Sequence, residues 1–124
     1  MIKGIGVDLA TIDRIKQAYL RTGDPFLKRV FTAEERAYTR GKKDPFPHLA
    51  GIFAAKEAAR KAFGDSLKGI GWTEIEVVHA SSGRPKLNMH GHAGAKLKEL
   101  GIKRIHLSIT HDKPQAVAIV IFES

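Results

Sequence analysis

Apolar residues alternate with small and acidic ones along Ile2–Leu9, with Ile5, Val7 and Leu9 on one face and Gly4, Gly6 and Asp8 on the other. This period of two predicts a strand. Two glycines beside an acid leave space for something to approach the backbone closely. From Thr11 to Arg21 the period changes. Ile12, Ile15 and Tyr19 recur at i, i+3 and i+7, which predicts a helix stopped at Gly23. Arg14 and Arg21, two turns apart, share its outer face. A second helix is predicted over Thr32–Gly41, opened by a capping box of Thr32 and Glu35. Asp44-Pro45-Phe46-Pro47 reads as a rigid break. A third, alanine-rich helix follows over His48–Phe63 and ends at Gly64, before a glycine-rich loop to Gly71.

The second half alternates more than it cycles. Trp72–Val78 predicts a strand with Ile75 and Val77 set against Glu74 and Glu76. Ser81–Pro85 is a turn and Lys86–Met89 its return strand. His92–Leu100 reads as a helix closed by Gly101. Arg104–Thr110 alternates with Ile105, Leu107 and Ile109 inward, and a His111–Pro114 hairpin turn leads into a last strand, Gln115–Phe122. The order β-α-α-α-β-β-α-β-β predicts an α+β fold, a mainly antiparallel sheet packed against helices. At 124 residues it is expected to be a single domain, 1–124.

Charge sharpens this picture. The chain holds 21 Lys+Arg against 13 Asp+Glu, a net +8, and no Cys. The missing cysteines exclude a disulfide scaffold, a thiolate nucleophile and a Cys-based zinc site. Residues 14–43 carry nine basic residues against Asp24, Glu34 and Glu35, a surplus of six. The bland reading is a solvated helical surface; the other is an anionic partner. A nucleic-acid-binding domain without catalysis is the alternative function. It lacks interleaved aromatics and any known module pattern. The first ten residues, with Lys3 and Asp8, do not read as a signal peptide, and the longest apolar run, Ala116–Phe122, is short of the ~20 residues of a spanning helix. A cytoplasmic protein with neither membrane nor nucleic acid as partner is expected.

Two carboxylates draw attention: Asp8 on the glycine face of the first strand, and Glu57 amid small apolar residues in Phe53-Ala54-Ala55-Lys56-Glu57-Ala58-Ala59. Converging acids with few other ligands suit Mg²⁺, which keeps waters and borrows substrate phosphates. A surface acid or salt bridge is the ordinary reading of each. Arg60 and Lys61, at i+3 and i+4 from Glu57, fit an intrahelical ion pair or a cation beside a phosphate. His90 and His92 lack further ligands nearby in sequence. Ser108 and His111 fall on opposite faces of a strand, and there is no G-x-S-x-G elbow, which argues against a serine hydrolase. There is no phosphate-binding P-loop either.

An ordered set of fragments gathers these residues: Gly6-Val7-Asp8-Leu9; Phe53-Ala54-Ala55-Lys56-Glu57-Ala58 with Lys61 and Gly64; Gly83-Arg84-Pro85; and Leu107-Ser108-Ile109-Thr110-His111-Asp112. Over nearly its whole length the chain resembles the holo-[acyl-carrier-protein] synthase family of 4′-phosphopantetheinyl transferases. The resemblance implies transfer of the phosphopantetheine arm of coenzyme A to a serine of apo acyl carrier protein, with adenosine 3′,5′-bisphosphate released, in support of fatty acid biosynthesis. It implies Mg²⁺ held by Asp8 and Glu57, with Glu57 and Lys61 catalytic. Lys61, Gly64, Arg84, Pro85 and His111 would bind coenzyme A, with His111 at a hairpin tip. Glu57 and a metal-bound water are both open as acceptors of the serine proton.

Acidic carrier proteins explain the basic segment, with Arg14 and Arg21 at the family's docking position and Lys28 extending the patch. A homotrimer with active sites between subunits is also implied, and the apolar final strands are compatible with such a contact. One departure stands out: Ile52 occupies a position where the family commonly has a nucleotide-binding arginine, so either Arg60, Lys68 or Arg84 substitutes or coenzyme A binds less tightly. Thr110 keeps a hydroxyl where serine is usual, and the Gly64–Gly71 loop differs from the common short glycine turn.

Overall fold

The computed structural model describes all residues, Met1–Ser124. Its elements are β1 (Ile2–Thr11), α1 (Ile12–Thr22), α2 (Asp24–Val30), α3 (Ala33–Arg40), α4 (Pro45–Phe63), β2 (Ile75–His79), β3 (Pro85–Met89), α5 (Gly91–Glu99), β4 (Arg104–Asp112) and β5 (Gln115–Glu123). Short 3₁₀ turns cover Gly64–Leu67 and Trp72–Glu74. A three-stranded antiparallel sheet has the order β1-β5-β4, and β2 and β3 form a separate hairpin. The fold is α+β, as the sequence pattern implies.

α4 is the central helix. Twelve of its nineteen residues are buried, among them Ala54, Ala55, Ala58, Ala59 and Ala62. A helix apolar on nearly every side belongs inside. Its alanines let the sheet come close. A Cβ at Gly6 would overlap the carbonyl of Ala58, and one at Gly4 that of Ala62. The approaching partner implied by the glycine face of β1 is therefore α4 itself. Phe63 seals the far end edge-on against Phe122 of β5, ring centroids 4.9 Å apart.

The other face of the sheet is open. Ile5, Val7 and Leu9 are each more than half exposed, and Ile119, paired with Val7, is 38% exposed. An apolar stripe of this kind on a folded chain marks a contact surface.

Five expectations are corrected. A short helix, α2, follows α1 directly; Gly23 ends one and starts the other, and Phe26 and Val30 anchor α2 at i, i+4. Asp44–Pro47 begins α4 instead of breaking the chain. The Asp44 side chain accepts from the Phe46 N–H, and Pro45 sits in the first turn, where no N–H is needed. Trp72–Glu74 is a 3₁₀ turn, so β2 starts at Ile75. Glu76 is buried, not outward, because it accepts from Thr32 Oγ1 at 2.6 Å and pairs with His90 at 2.9 Å. The hairpin turn itself is Lys113–Pro114, so His111 lies within β4 and not at the tip.

Candidate active site

The close packing of β1 on α4 decides where Asp8 goes. Two residues beyond Gly6, it shares the inner face and meets the C-terminal half of α4. Lys61 Nζ donates to Asp8 Oδ1 at 3.2 Å and to the Val7 carbonyl at 3.0 Å. Glu57, one turn earlier on α4, opens with Asp8 into a cleft of about 420 Å³. Lys61 therefore pairs with Asp8, while Glu57 keeps only a loose contact with Arg60 Nε at 3.6 Å. Burial raises the Glu57 carboxyl above its ordinary range, and the charge of Asp8 adds to this, against Arg60 and Lys61. A half-buried carboxyl of raised proton affinity, Glu57, beside a second acid forms a site that gains from a cation.

No group of three His, Asp or Glu side chains is arranged to hold a metal ion. Asp8 and Glu57 alone fit Mg²⁺, which needs one or two carboxylates when waters and substrate phosphates complete its shell. Zinc, with its three or four protein ligands, does not fit this pair. Arg14 and Arg21 line the same cleft from α1, both exposed. Its apolar wall includes Phe26, Phe53 and Trp72; Phe53 stacks on Trp72, and Arg60 lies over the Trp72 ring at 4.5 Å. These aromatics carry no periodic signal in the sequence, because they come from three separate elements.

The other expected site residues lie apart. Gly83, Pro85 and His111 line a second pocket of about 220 Å³ that shares no residue with the first. Arg84 faces a third groove with Lys86, Lys103 and His106. Gly64 caps α4 with a positive φ of 59°, and its N–H bonds the Lys61 carbonyl. Lys28 lines a further cleft with Arg36, Arg40 and Lys42, one that Arg14 and Arg21 do not line. Arg60 donates to the Ile70 carbonyl at 3.2 Å and so stays on the Trp72 side of α4. His90 and His92 each pair with a glutamate, Glu76 and Glu74, which accounts for both.

Residues 4–120 match the family model of the 4′-phosphopantetheinyl transferase superfamily, and the chain belongs to that superfamily. Within it the similarity is to holo-[acyl-carrier-protein] synthases. That of Solibacter usitatus is 45% identical over 125 residues, covering 100% of both chains. The crystal structure of the Neisseria meningitidis synthase superposes with a TM-score of 0.92 at 33% identity, again over 100% of both. The Bacillus anthracis synthase, solved in complex with coenzyme A (3′,5′-ADP), gives 0.81 at 36% identity, covering 100% of this chain and 98% of that one.

Proposed function

We propose that the protein is a holo-[acyl-carrier-protein] synthase in which residues 1–124 act as one transferase domain. It moves the 4′-phosphopantetheine arm of coenzyme A onto a serine hydroxyl of an acidic apo carrier protein, releases adenosine 3′,5′-bisphosphate and so supports fatty acid biosynthesis in the cytoplasm. The observation that carries this reading is the meeting of Asp8 and Glu57, 49 residues apart, in one cleft with Lys61 beside them and Arg14 and Arg21 at its edge.

Asp8 and Glu57 would hold Mg²⁺, which supplies charge withdrawal from the pyrophosphate and stabilises the leaving oxygen. Attack at phosphorus needs chiefly positioning and charge neutralisation. Lys61 supplies a mobile ammonium: its side chain is about half exposed, and it can turn from Asp8 to a phosphate oxygen. The serine proton passes to Glu57, whose proton affinity is already raised, or to a water in the cleft. Arg14 and Arg21 steer the acidic carrier so that its serine enters beside the acids.

Gly64, Arg84, Pro85 and His111 bind coenzyme A. In a single chain Gly83, Pro85 and His111 line a pocket separate from that of the acids, which supports a nucleotide end gripped by a second copy. The open stripe of Ile5, Val7, Leu9 and Ile119 supports a homotrimer that builds each site between two chains. Incubation with coenzyme A, Mg²⁺ and an apo carrier, followed by mass spectrometry of the carrier, tests the reading. Addition of the phosphopantetheine mass is expected; an unchanged carrier refutes it.

A further inference from the structure

The pocket that holds Gly83, Pro85 and His111 is walled by two more imidazoles, His48 of α4 and His79 of β2. Aromatic contacts hold the rings in place. His79 lies flat on Tyr38 of α3, centroids 3.7 Å apart and planes 8° apart. His48 meets Tyr38 edge-on at 6.1 Å and His111 edge-on at 5.4 Å. No carboxylate lines the wall, and Ile52, one turn after His48, adds only apolar surface. From the α3–α4 link, Lys42 places its ammonium 4.5 Å from the Tyr38 ring centre, and Asp44 lies within reach of Lys113 Nζ at 3.6 Å. Arg84 of the β2–β3 turn faces the neighbouring groove.

These three imidazoles are not arranged as a metal-holding trio. They suit a group that brings its own negative charge. A phosphate dianion accepts from several N–H donors at once, and an imidazolium offers two.

We propose that His48 and His79, together with His111, form a proton-linked site for a phosphate group of the nucleotide substrate, so that binding there draws protons from solution. This rests on the reading of His111 and the Gly83–Pro85 turn as nucleotide contacts.

Burial holds His48 and His79 below the usual histidine range. For His48 the charges of His111 and Lys42 add to this, with Asp44 opposing; for His79 Lys42 and His48 add. A dianion supplies the missing countercharge and reverses the effect, raising the proton affinity of both rings. The sign follows: the occupied pocket binds more protons than the empty one, so affinity rises as pH falls through the neutral range. The gain ends where the phosphate takes its own second proton, at about pH 6.

Calorimetric titration with coenzyme A and with adenosine 3′,5′-bisphosphate tests this, at pH 6.5, 7.5 and 8.5 in two buffers of different ionisation enthalpy. The expected result at pH 7.5 is uptake of about one proton per ligand, with affinity rising on the order of tenfold to a hundredfold from pH 8.5 to 6.5. The double variant His48→Gln/His79→Gln should lose the uptake and the pH dependence. His106→Gln, outside the pocket and paired with Glu123, should keep both. His48→Gln alone, on a half-buried side chain, guards against loss of fold in the double variant and should reduce the uptake. Binding without proton uptake in the unmodified protein, or undiminished uptake in the variants, overturns this inference alone. Failure to bind either ligand overturns the transferase reading, and this inference with it.

Discussion

Lys56 and Glu57 are neighbours on α4, one sealed in the core and the other opening into a cleft. Lys56 is fully buried, with Nζ 2.8 Å from Glu35 and donating to the carbonyls of Trp72 and Ile75. Glu35 also accepts from the N–H groups of Thr32, at 2.9 Å, and Val77, at 2.6 Å. Burial works to push the Glu35 carboxyl up and the Lys56 ammonium down, and their mutual contact opposes both. No buried side-chain polar atom in the molecule lacks a partner. The pair thus ties α3, α4 and β2 together. Glu57 has only Arg60 at 3.6 Å and a side chain 30% exposed. One step along a helix turns the side chain by about 100°. That rotation separates a satisfied ion pair, which can only hold structure, from an unsatisfied carboxylate, which can take a ligand.

Breaking the core pair should have the largest effect. Lys56→Met leaves Glu35 buried without its cation, and removal of one partner of a buried pair costs about 3–5 kcal/mol. Urea unfolding should show this loss as a lower midpoint. The double variant Glu35→Leu/Lys56→Met sharpens the comparison. Uncharged replacement of a buried pair is often neutral, yet here recovery should be partial, because the N–H groups of Thr32 and Val77 lose their acceptor. Full recovery would mean that the pair is not the tie described. The cleft should behave in the opposite way. Asp8→Ala and Glu57→Ala should each lower transfer at least about a hundredfold, the scale of a lost electrostatic stabiliser. Their unfolding midpoints should stay where they were. Near-normal transfer in either variant would remove that acid from the mechanism.

Sequence and structure diverge where contacts are long-range. The capping box of α3 is local, and Thr32 and Glu35 form it as their spacing implies. The Gly4, Gly6 and Asp8 face of β1 is legible too, since the period of two is a backbone property. What it packs against is not, because α4 lies some fifty residues away. The motif containing Lys56 and Glu57 marks both residues without separating their roles; that takes Glu35, from another helix, on one side and Asp8 on the other. Pro45 and Pro47 look like a break until Asp44 is seen capping the helix. His48 and His79, from separate elements, line one pocket on either side of Tyr38, which stacks on His79 and meets His48 edge-on.

A pH series separates the two groups at smaller scale. The raised Glu57 carboxyl makes the native state bind more protons than the unfolded chain above the ordinary Glu range. Stability therefore falls as pH rises through that window. Glu57→Gln should flatten this slope and lift the melting temperature slightly at neutral pH without cation or substrate. A lower melting temperature in that variant would show Glu57 to be a structural residue like Lys56.

The mildest test concerns the rim of the cleft. Arg14 and Arg21 are exposed on α1 and have no ion-pair partner there, so removing them should leave stability within about 0.5 kcal/mol. Their proposed work is on encounter with an acidic carrier, and rim charges act mainly on association rate and its salt dependence. Arg14→Ala and Arg21→Ala should each raise KM for the carrier by roughly twofold to tenfold at low ionic strength. The difference from the unmodified protein should shrink as salt rises, since the Debye length falls from about 30 Å at 0.01 M to about 10 Å at 0.1 M. KM for coenzyme A should hardly move, because the residues proposed to grip its nucleotide end, Pro85 and His111, line a different pocket. Equal losses for both substrates would instead assign the two arginines to the phosphates of coenzyme A. The cleft would then be a binding site for the small substrate alone, and the carrier would have to dock elsewhere, with the basic groove of Lys28, Arg36 and Arg40 as the surface to test next.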